Sequence, residues 1–332
     1  MSTEIESAVQ ISIPELPGCA LEVYDTMEKW LDARNSVIGA SEAASIFGVG
    51  YADESPMSVW GRKVGKIDSK EDTDLLECGR VLQPAIIELF RRRYLKANPD
   101  CEIVFNHQPL GEYTLCRSLK HPWMGASLDD YFFDRDGVAL VEAKNVSLFM
   151  AADWNDDDPP LKFHVQTQQQ MAVTHTERNF AVGLIGGNRL VWKEARRNDK
   201  FIAVMVETLA EFQELVDDKV EPSGKWIDGT EATKKALGKI HPLDNGETVT
   251  LPLESAAWHE ALAKAKADKK EAEGRELLYG NHLRREIGDN TAGLLPDGTR
   301  YTHKHQTKAS FVMPECTFRT LRHEKGSTKR RR

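Results

Sequence analysis

The chain has 332 residues, 40% of them hydrophobic and 29% charged, with a formal net charge of −8. That length suits one large domain with an appendage, and the composition is that of an ordinary soluble globular protein. No stretch approaches a membrane span, "MSTEIESAVQ" lacks the regions of a secretory leader, and the five cysteines lack zinc-type spacing, so an intracellular chain with free thiols is expected.

The first 35 residues are mixed and polar, with one short helix expected in "YDTMEKWLDARN". In "SVIGASEAASIFGVG" a turn leads into a helix on which Ser41 reads as an N-cap or first-turn hydroxyl. A short helix is expected around Trp60, over 58–67, and a longer one over 75–98, with Leu82, Ile86, Leu89 and Phe90 as its apolar side. Pro84 lies inside that pattern and predicts a kink, or the start of the regular helix. From 101 to 146 the apolar period shortens to two. "CEIVFNHQPLG" reads as a strand and turn, and "YFFDRDGVALVEAKNV" as two strands turned by "DRDG".

An acidic, proline-containing loop then leads to a helix of about four turns, "LKFHVQTQQQMAVTHT". Two strands turned at Gly186-Gly187 and an amphipathic helix, "DKFIAVMVETLAEFQELVDDKV", complete one α/β body over 36–220. Residues 1–35 are a leading segment. Residues 221–332 read as a Pro/Gly-containing linker, a long charged helix over 254–288 and a small terminal strand or clasp. Basic groups cluster at 91–93, 193–200 and the C-terminus, although the average charge is acidic.

The chemistry concentrates in "SLDDYFFDRDGVALVEAKNVS", residues 127–147. On a strand, Glu142 and Lys144 share a face while Val141 and Ala143 point to the other. A carboxylate and an ammonium among apolar neighbours need partners to offset the cost of burial. Asp129, brought back by the hairpin turn, supplies a second carboxylate, and two such groups suit a hard, oxygen-ligated cation such as Mg²⁺. Lys144 can then orient water or offset charge developing on a scissile phosphate. Similar triplets at Asp217–Lys219 and Asp268–Lys270 fall on helices, where i and i+2 do not share a face. A structural salt bridge at the strand end is the plainer alternative. Gln166 and Gln170 share a face of the next helix and could reach a phosphate or a metal-bound water; a solvated polar face explains them equally.

"VIGASEAASIFGV", "ECGRVLQPAIIELF", "HPWMGASLDDYF", "LVEAKN" and "VQTQQQMAVTHTERNFAVGLIGG", in this order, closely resemble the YqaJ-like viral recombinase family, relatives of the lambda exonuclease within the PD-(D/E)xK nuclease class. The resemblance spans about 36–220. It implies a restriction-endonuclease-like core, a central mixed sheet flanked by helices, here followed by a helical C-terminal extension. It further implies an Mg²⁺-dependent enzyme (Mn²⁺ substituting) that digests the 5′ strand at linear duplex ends and leaves 3′ overhangs for recombination by annealing. On that pattern Asp129 and Glu142 are metal ligands, Lys144 and Gln166 complete the catalytic set, and Ser41 is a candidate for holding a 5′ phosphate. Gln170, Arg91 and Arg92 are further candidates for DNA contact. The implied partners are DNA ends, a single-strand annealing protein and further copies of the chain, three in the best-known relative, in the cytoplasm of a bacterial or phage-infected cell and away from any membrane. One departure stands out: the usual Gly-x-x-x-Glu-Pro reads "GRVLQP", so the neutral Gln83 occupies a metal-ligand position that is ordinarily acidic. The alternatives are a nuclease-fold protein that binds DNA ends with weakened or lost cleavage, and a structure-specific endonuclease.

Overall fold

The computed structural model describes residues 9–11, 16–69, 73–105, 113–308, 319, 321 and 322. The expected turn within 106–111, the last part of the proposed clasp and the basic C-terminus lie outside these residues. The chain divides into two compact units, Met1–Pro242 and Leu243–Arg332.

The first unit begins with strands β1 (Val9–Ile11) and β2 (Cys19–Val23), helix α1 (Met27–Asn35), the two-residue strand β3 (Ile38–Gly39) and helices α2 (Ala40–Ile46) and α3 (Pro56–Lys63). Helix α4 (Asp74–Ala97) follows, then β4 (Val104–Phe105), β5 (Thr114–Ser118), β6 (Met124–Ala126), β7 (Asp130–Asp134) and β8 (Gly137–Val146). A 3-10 turn at Leu148–Trp154, helix α5 (Leu161–Thr174), the hairpin β9 (Arg178–Ile185) and β10 (Arg189–Arg196), and helices α6 (Asp199–Asp217) and α7 (Glu231–Ile240) complete it. The connection expected from 221 onward therefore contains a helix, which packs on α3 through the buried Ala232 and Ala236.

Two sheets form this unit, in the orders β1-β2-β5-β6-β3 and β10-β9-β8-β7-β4. The second is the expected mixed sheet: β8 and β9 are parallel and its other pairs antiparallel. A parallel pair needs a long crossover, and the 3-10 turn with α5 provides it. Helix α4 covers one face of this sheet, where Phe90 is fully buried against Phe132, Phe180 and Trp192. Burying a side chain of that size contributes about 2–3 kcal/mol. Helix α5 covers the other face and also touches β5 and β6 of the first sheet.

Two details of α4 differ from expectation. The helix starts at Asp74, capped by the Thr73 hydroxyl, and runs through Pro84 rather than beginning there. Proline removes one backbone donor, and at an exposed position such as this water can satisfy the freed carbonyl. Its buried side consists of Ile86, Ile87 and Phe90, while Leu89 is exposed. The first sheet was not anticipated from sequence.

The second unit contains the long helix α8 (Ser255–Ile287) and a small hairpin of β11 (Ala292–Leu294) with β12 (Arg300–Thr302). Ile287 is the one buried residue of α8, and it packs against Gly293 of the hairpin. Among the described residues no helix is long and apolar enough to cross a membrane. Cys19, Cys78, Cys101 and Cys116 are free thiols.

Candidate active site

The hairpin of β7 and β8 sets the site. Asp130 pairs with Val141, so Asp129, one residue earlier, falls opposite Glu142. The amide of Ala143 donates to Asp129 Oδ2 at 2.7 Å, which fixes that carboxylate against the catalytic strand. On β8 the two faces separate as the alternation requires. Val141 and Ala143 join the α4 side of the core, and Leu140 joins the α5 side, where Glu142 also points. The sharp turn of this hairpin is explained without chemistry: Asp134 Oδ1 accepts from the Asp136 amide at 2.9 Å, and Gly137 adopts a φ of +91°. Arg178, buried, clamps Asp134 from β9.

Glu142 is only 3% exposed and is held by three side chains. Gln166 Nε2 donates to Oε1 at 2.7 Å, Gln170 Nε2 donates to Oε2 at 2.5 Å, and Lys144 Nζ lies 2.5 Å from Oε1. Lys144 also lies over the Phe163 ring, 5.3 Å from its centroid. The floor beneath it depends on a glycine. Gly183 pairs with Lys144 across β9, and a Cβ there would meet Trp154 at 2.9 Å. Trp154 can therefore approach the strand closely at Gly183 and pack against Phe163, with ring centroids 5.6 Å apart and the planes tilted by 42°.

The charges are coupled. Burial and the neighbouring Glu142 push the Asp129 carboxyl well above its ordinary value, and Lys144 and the Ala143 amide offset only part of this. For Lys144, burial favours the neutral amine, but Glu142, Tyr51 and Asp129 outweigh it and hold the group above the ordinary lysine value. The resting Lys144 is thus a cation rather than a base.

Asp129, Glu142, Lys144 and Gln83 line one cavity of about 780 Å³. Its chemistry fits a hard cation with oxygen ligands. A carboxylate pair has about eight lone-pair sites, and four are occupied by Ala143, Gln166, Gln170 and Lys144. The raised proton affinity of Asp129 comes first from burial and then from the like charge of Glu142, and a cation between the two carboxylates would offset both. No group of three or more His, Cys, Asp or Glu suited to a metal occurs among the described residues. The third wall position belongs to Gln83, half-buried on α4, which can offer only a neutral carbonyl oxygen.

The other residues singled out from sequence are placed as follows. Ser41 is the second residue of α2 and is not its N-cap, which is Gly39; its hydroxyl accepts from Arg34 Nη2 at 3.4 Å. Gln170 is 1% exposed, and its amide is committed to Glu142, Ser127 and Asn179, so it is a buried anchor of the Glu142 carboxylate. Arg91 is bonded to Asp130 at 2.6 Å and lies over Phe105, on the α4 side of the sheet. Arg92 is largely exposed and bonds Glu88 at 2.7 Å. Neither arginine lines the catalytic cavity, since eight and nine residues separate them from Gln83 along α4.

Sequence reasoning missed Arg34. It ends α1, lies over Trp30 at 4.7 Å, bonds Ser41 and is within the electrostatic reach of Glu42 and Glu142. A basic residue in the last turn of a helix reads as an ordinary complement to the helix dipole, so nothing in the string marks it.

Residues 29–177 match the family model described as the YqaJ-like viral recombinase domain. The chain is 26% identical over 279 residues to "Uncharacterized protein YqaJ" of Bacillus subtilis (strain 168), covering 81% of this chain and 80% of that protein. Among solved structures, it resembles an alkaline exonuclease (LHK-Exo) from Laribacter hongkongensis with a TM-score of 0.44 and 18% identity, covering 59% of this chain and 95% of that one. A phage related exonuclease from Haemophilus somnus 129PT gives a TM-score of 0.40 at 12% identity, over 55% of this chain and 95% of the other.

Proposed function

We propose, for a chain whose residues 29–177 form a YqaJ-like viral recombinase domain, a metal-dependent nuclease that digests linear duplex DNA from its ends. The observation that carries this reading is the opposition of Asp129 to Glu142 beside a charged Lys144, all on one open cavity. Asp129 and Glu142 would hold a divalent cation, Mg²⁺ by the family resemblance, with the carbonyl of Gln83 as a neutral third donor. Such an ion supplies a water of lowered pKa and neutralises charge on the phosphate.

The remaining work falls to side chains of the chain itself. Gln166 and Gln170 fix both oxygens of Glu142, so that carboxylate needs no reorganisation when substrate arrives. Lys144, held protonated, can donate to a non-bridging phosphate oxygen as negative charge develops there. The Arg34–Ser41 pair is suited to a terminal 5′ phosphate, a guanidinium and a hydroxyl being the usual donors to such a group. This supports 5′-to-3′ polarity and 3′ overhangs as the finer reading. Assembly into a homo-oligomer, a trimer by the resemblance, and work beside a single-strand annealing protein belong to the same proposal.

Digestion of 5′-phosphorylated linear duplex is compared with covalently closed circular DNA, with Mg²⁺ and with a chelator. Metal-dependent loss of the linear form alone supports the reading, and cutting of the circle favours an endonuclease. The neutral Gln83 favours a second reading, DNA-end binding with weakened cleavage; binding of linear ends without loss of either substrate would support it.

A further inference from the structure

Helix α7 lies beyond the segment matched by the family model, yet it forms one wall of the catalytic cavity. Ala232 and Ala236 are buried at its foot, and Lys235 and Lys239 line the same cavity as Asp129, Glu142 and Lys144. Positions 232, 235, 236 and 239 follow the three-and-four spacing of one helical face. The two lysines are one turn apart, about 6 Å along the axis. The wall is held in place by packing of α7 on α3, where Ile240 approaches Gly61, and by the Thr230 hydroxyl capping the helix through the Thr233 amide at 3.1 Å.

Arg62, Arg80 and Lys144 are the other basic groups on the cavity. Arg62 is bonded to Glu54 at 2.6 Å and Lys144 to Glu142. Asp53 and Asp68 also line the cavity, so its field is mixed rather than uniformly basic. Lys235 and Lys239 are exposed and make no ion pair among the described residues. Their neighbour Lys234 differs: it pairs with Glu231 at 3.1 Å and is not a cavity residue. Exposed lysine ordinarily faces bulk water. Two unpaired lysines in register on a concave wall that also carries a phosphodiesterase-type carboxylate pair call for an anion with repeating charge. A nucleic-acid strand supplies one phosphate per 3.4 Å or so of axis, so two ammonium groups on flexible stems based about 6 Å apart can each reach a separate phosphate of one strand.

We propose that Lys235 and Lys239 bind separate backbone phosphates of the DNA strand that enters the carboxylate cavity. They position the strand and do not touch the reacting atoms. The inference rests on the nuclease reading and adds to it a second wall, contributed by this chain outside the matched domain.

Binding of a fluorescent linear duplex to the full chain is measured by anisotropy in EDTA, between about 50 and about 200 mM NaCl, for the wild type, Lys235→Gln/Lys239→Gln and Lys234→Gln. Each phosphate contact contributes about 0.9 to the slope of log K against log salt, so the double variant should lose about 1.8 from that slope. Lys234→Gln should leave the slope unchanged. All three substitutions are at exposed positions, so melting temperatures should agree with the wild type. A wild-type slope retained in the double variant overturns the lysine assignment alone. A slope lost equally in Lys234→Gln overturns it too, because general surface charge then suffices. A wild-type chain that binds no DNA and cuts none overturns the nuclease reading, and the lysine assignment falls with it.

Discussion

Replacing Gln170 by alanine tests whether the carboxylate site is built by buried hydrogen bonds. Gln170 is 1% exposed; its Nε2 donates to Glu142 at 2.5 Å and to the Ser127 carbonyl at 3.3 Å, and its Oε1 accepts from Asn179 at 2.7 Å. The bond to the carboxylate is worth about 1.5–3 kcal/mol, and a neutral bond about 0.5–1.5 kcal/mol. Partial collapse around the missing methylenes adds roughly 1 kcal/mol. With two neutral bonds the sum is about 3.5–7 kcal/mol, and at roughly 2–4 °C per kcal/mol for a unit of this size the melting temperature should fall by at least about 7 °C. Thermal unfolding followed by circular dichroism in EDTA provides the measurement. Gln166→Ala, which removes one bond to the same carboxylate, should cost less, about 2.5–4 kcal/mol. A Gln170→Ala protein melting within about 2 °C of the wild type would refute the assignment of this glutamine as a buried anchor.

Lys144→Ala should keep the fold and DNA binding and lose on the order of 10²-fold or more in turnover, as expected for removal of one charge-stabilising donor; near-normal digestion of linear duplex would contradict its role. Gln83→Glu adds a third carboxylate to the cavity wall and should tighten divalent-cation binding on the order of tenfold by calorimetric titration, with unchanged affinity placing residue 83 outside the ligand set. Asp129→Asn should stabilise the metal-free protein at pH 8, since a carboxyl whose folded value is raised contributes stability at low pH that is lost as pH rises through that value. The advantage should vanish below about pH 4, where Asp129 is protonated in both states, and saturating Mg²⁺ should stabilise the wild type but not the variant. A variant that melts below the wild type in EDTA at pH 8 would show that burial and Glu142 do not raise the Asp129 carboxyl.

The hairpin of the candidate site was legible because its signals are local. "DRDG" fixes the turn, a period of two fixes the faces, and those together place Asp129 opposite Glu142. The amphipathic α6 and the Gly186-Gly187 hairpin were legible for the same reason. The first sheet was not, since β2 pairs with β5 across some ninety residues and neither strand carries a turn signal that points to the other. Helix α7 was hidden by its short length and by the proline and glycine residues that flank it. The glutamines of α5 were misleading in a different way. A run reading "QTQQQ" suggests a solvated face, yet Gln166, Gln168, Gln169 and Gln170 are all buried, and a sequence does not state which polar groups have found partners.

Those glutamines also bear on how the chain reaches its final state. Gln169 donates to the carbonyls of Ile38 and Gly125, and Gln168 donates to that of Arg196 and accepts from the Asn198 amide. A single helix is thereby laced to strands that lie up to 131 residues away in the chain. Contacts of such long sequence separation are intrinsically slow to form, and a buried amide gains from docking only when its partners are already in place. The helix that orients Glu142 can therefore lock down only after both sheets have closed. A half-folded chain can pair Asp129 with Glu142 through the hairpin alone, but Glu142 is left unoriented until Gln166 and Gln170 dock, so the finished geometry waits on the last long-range contacts.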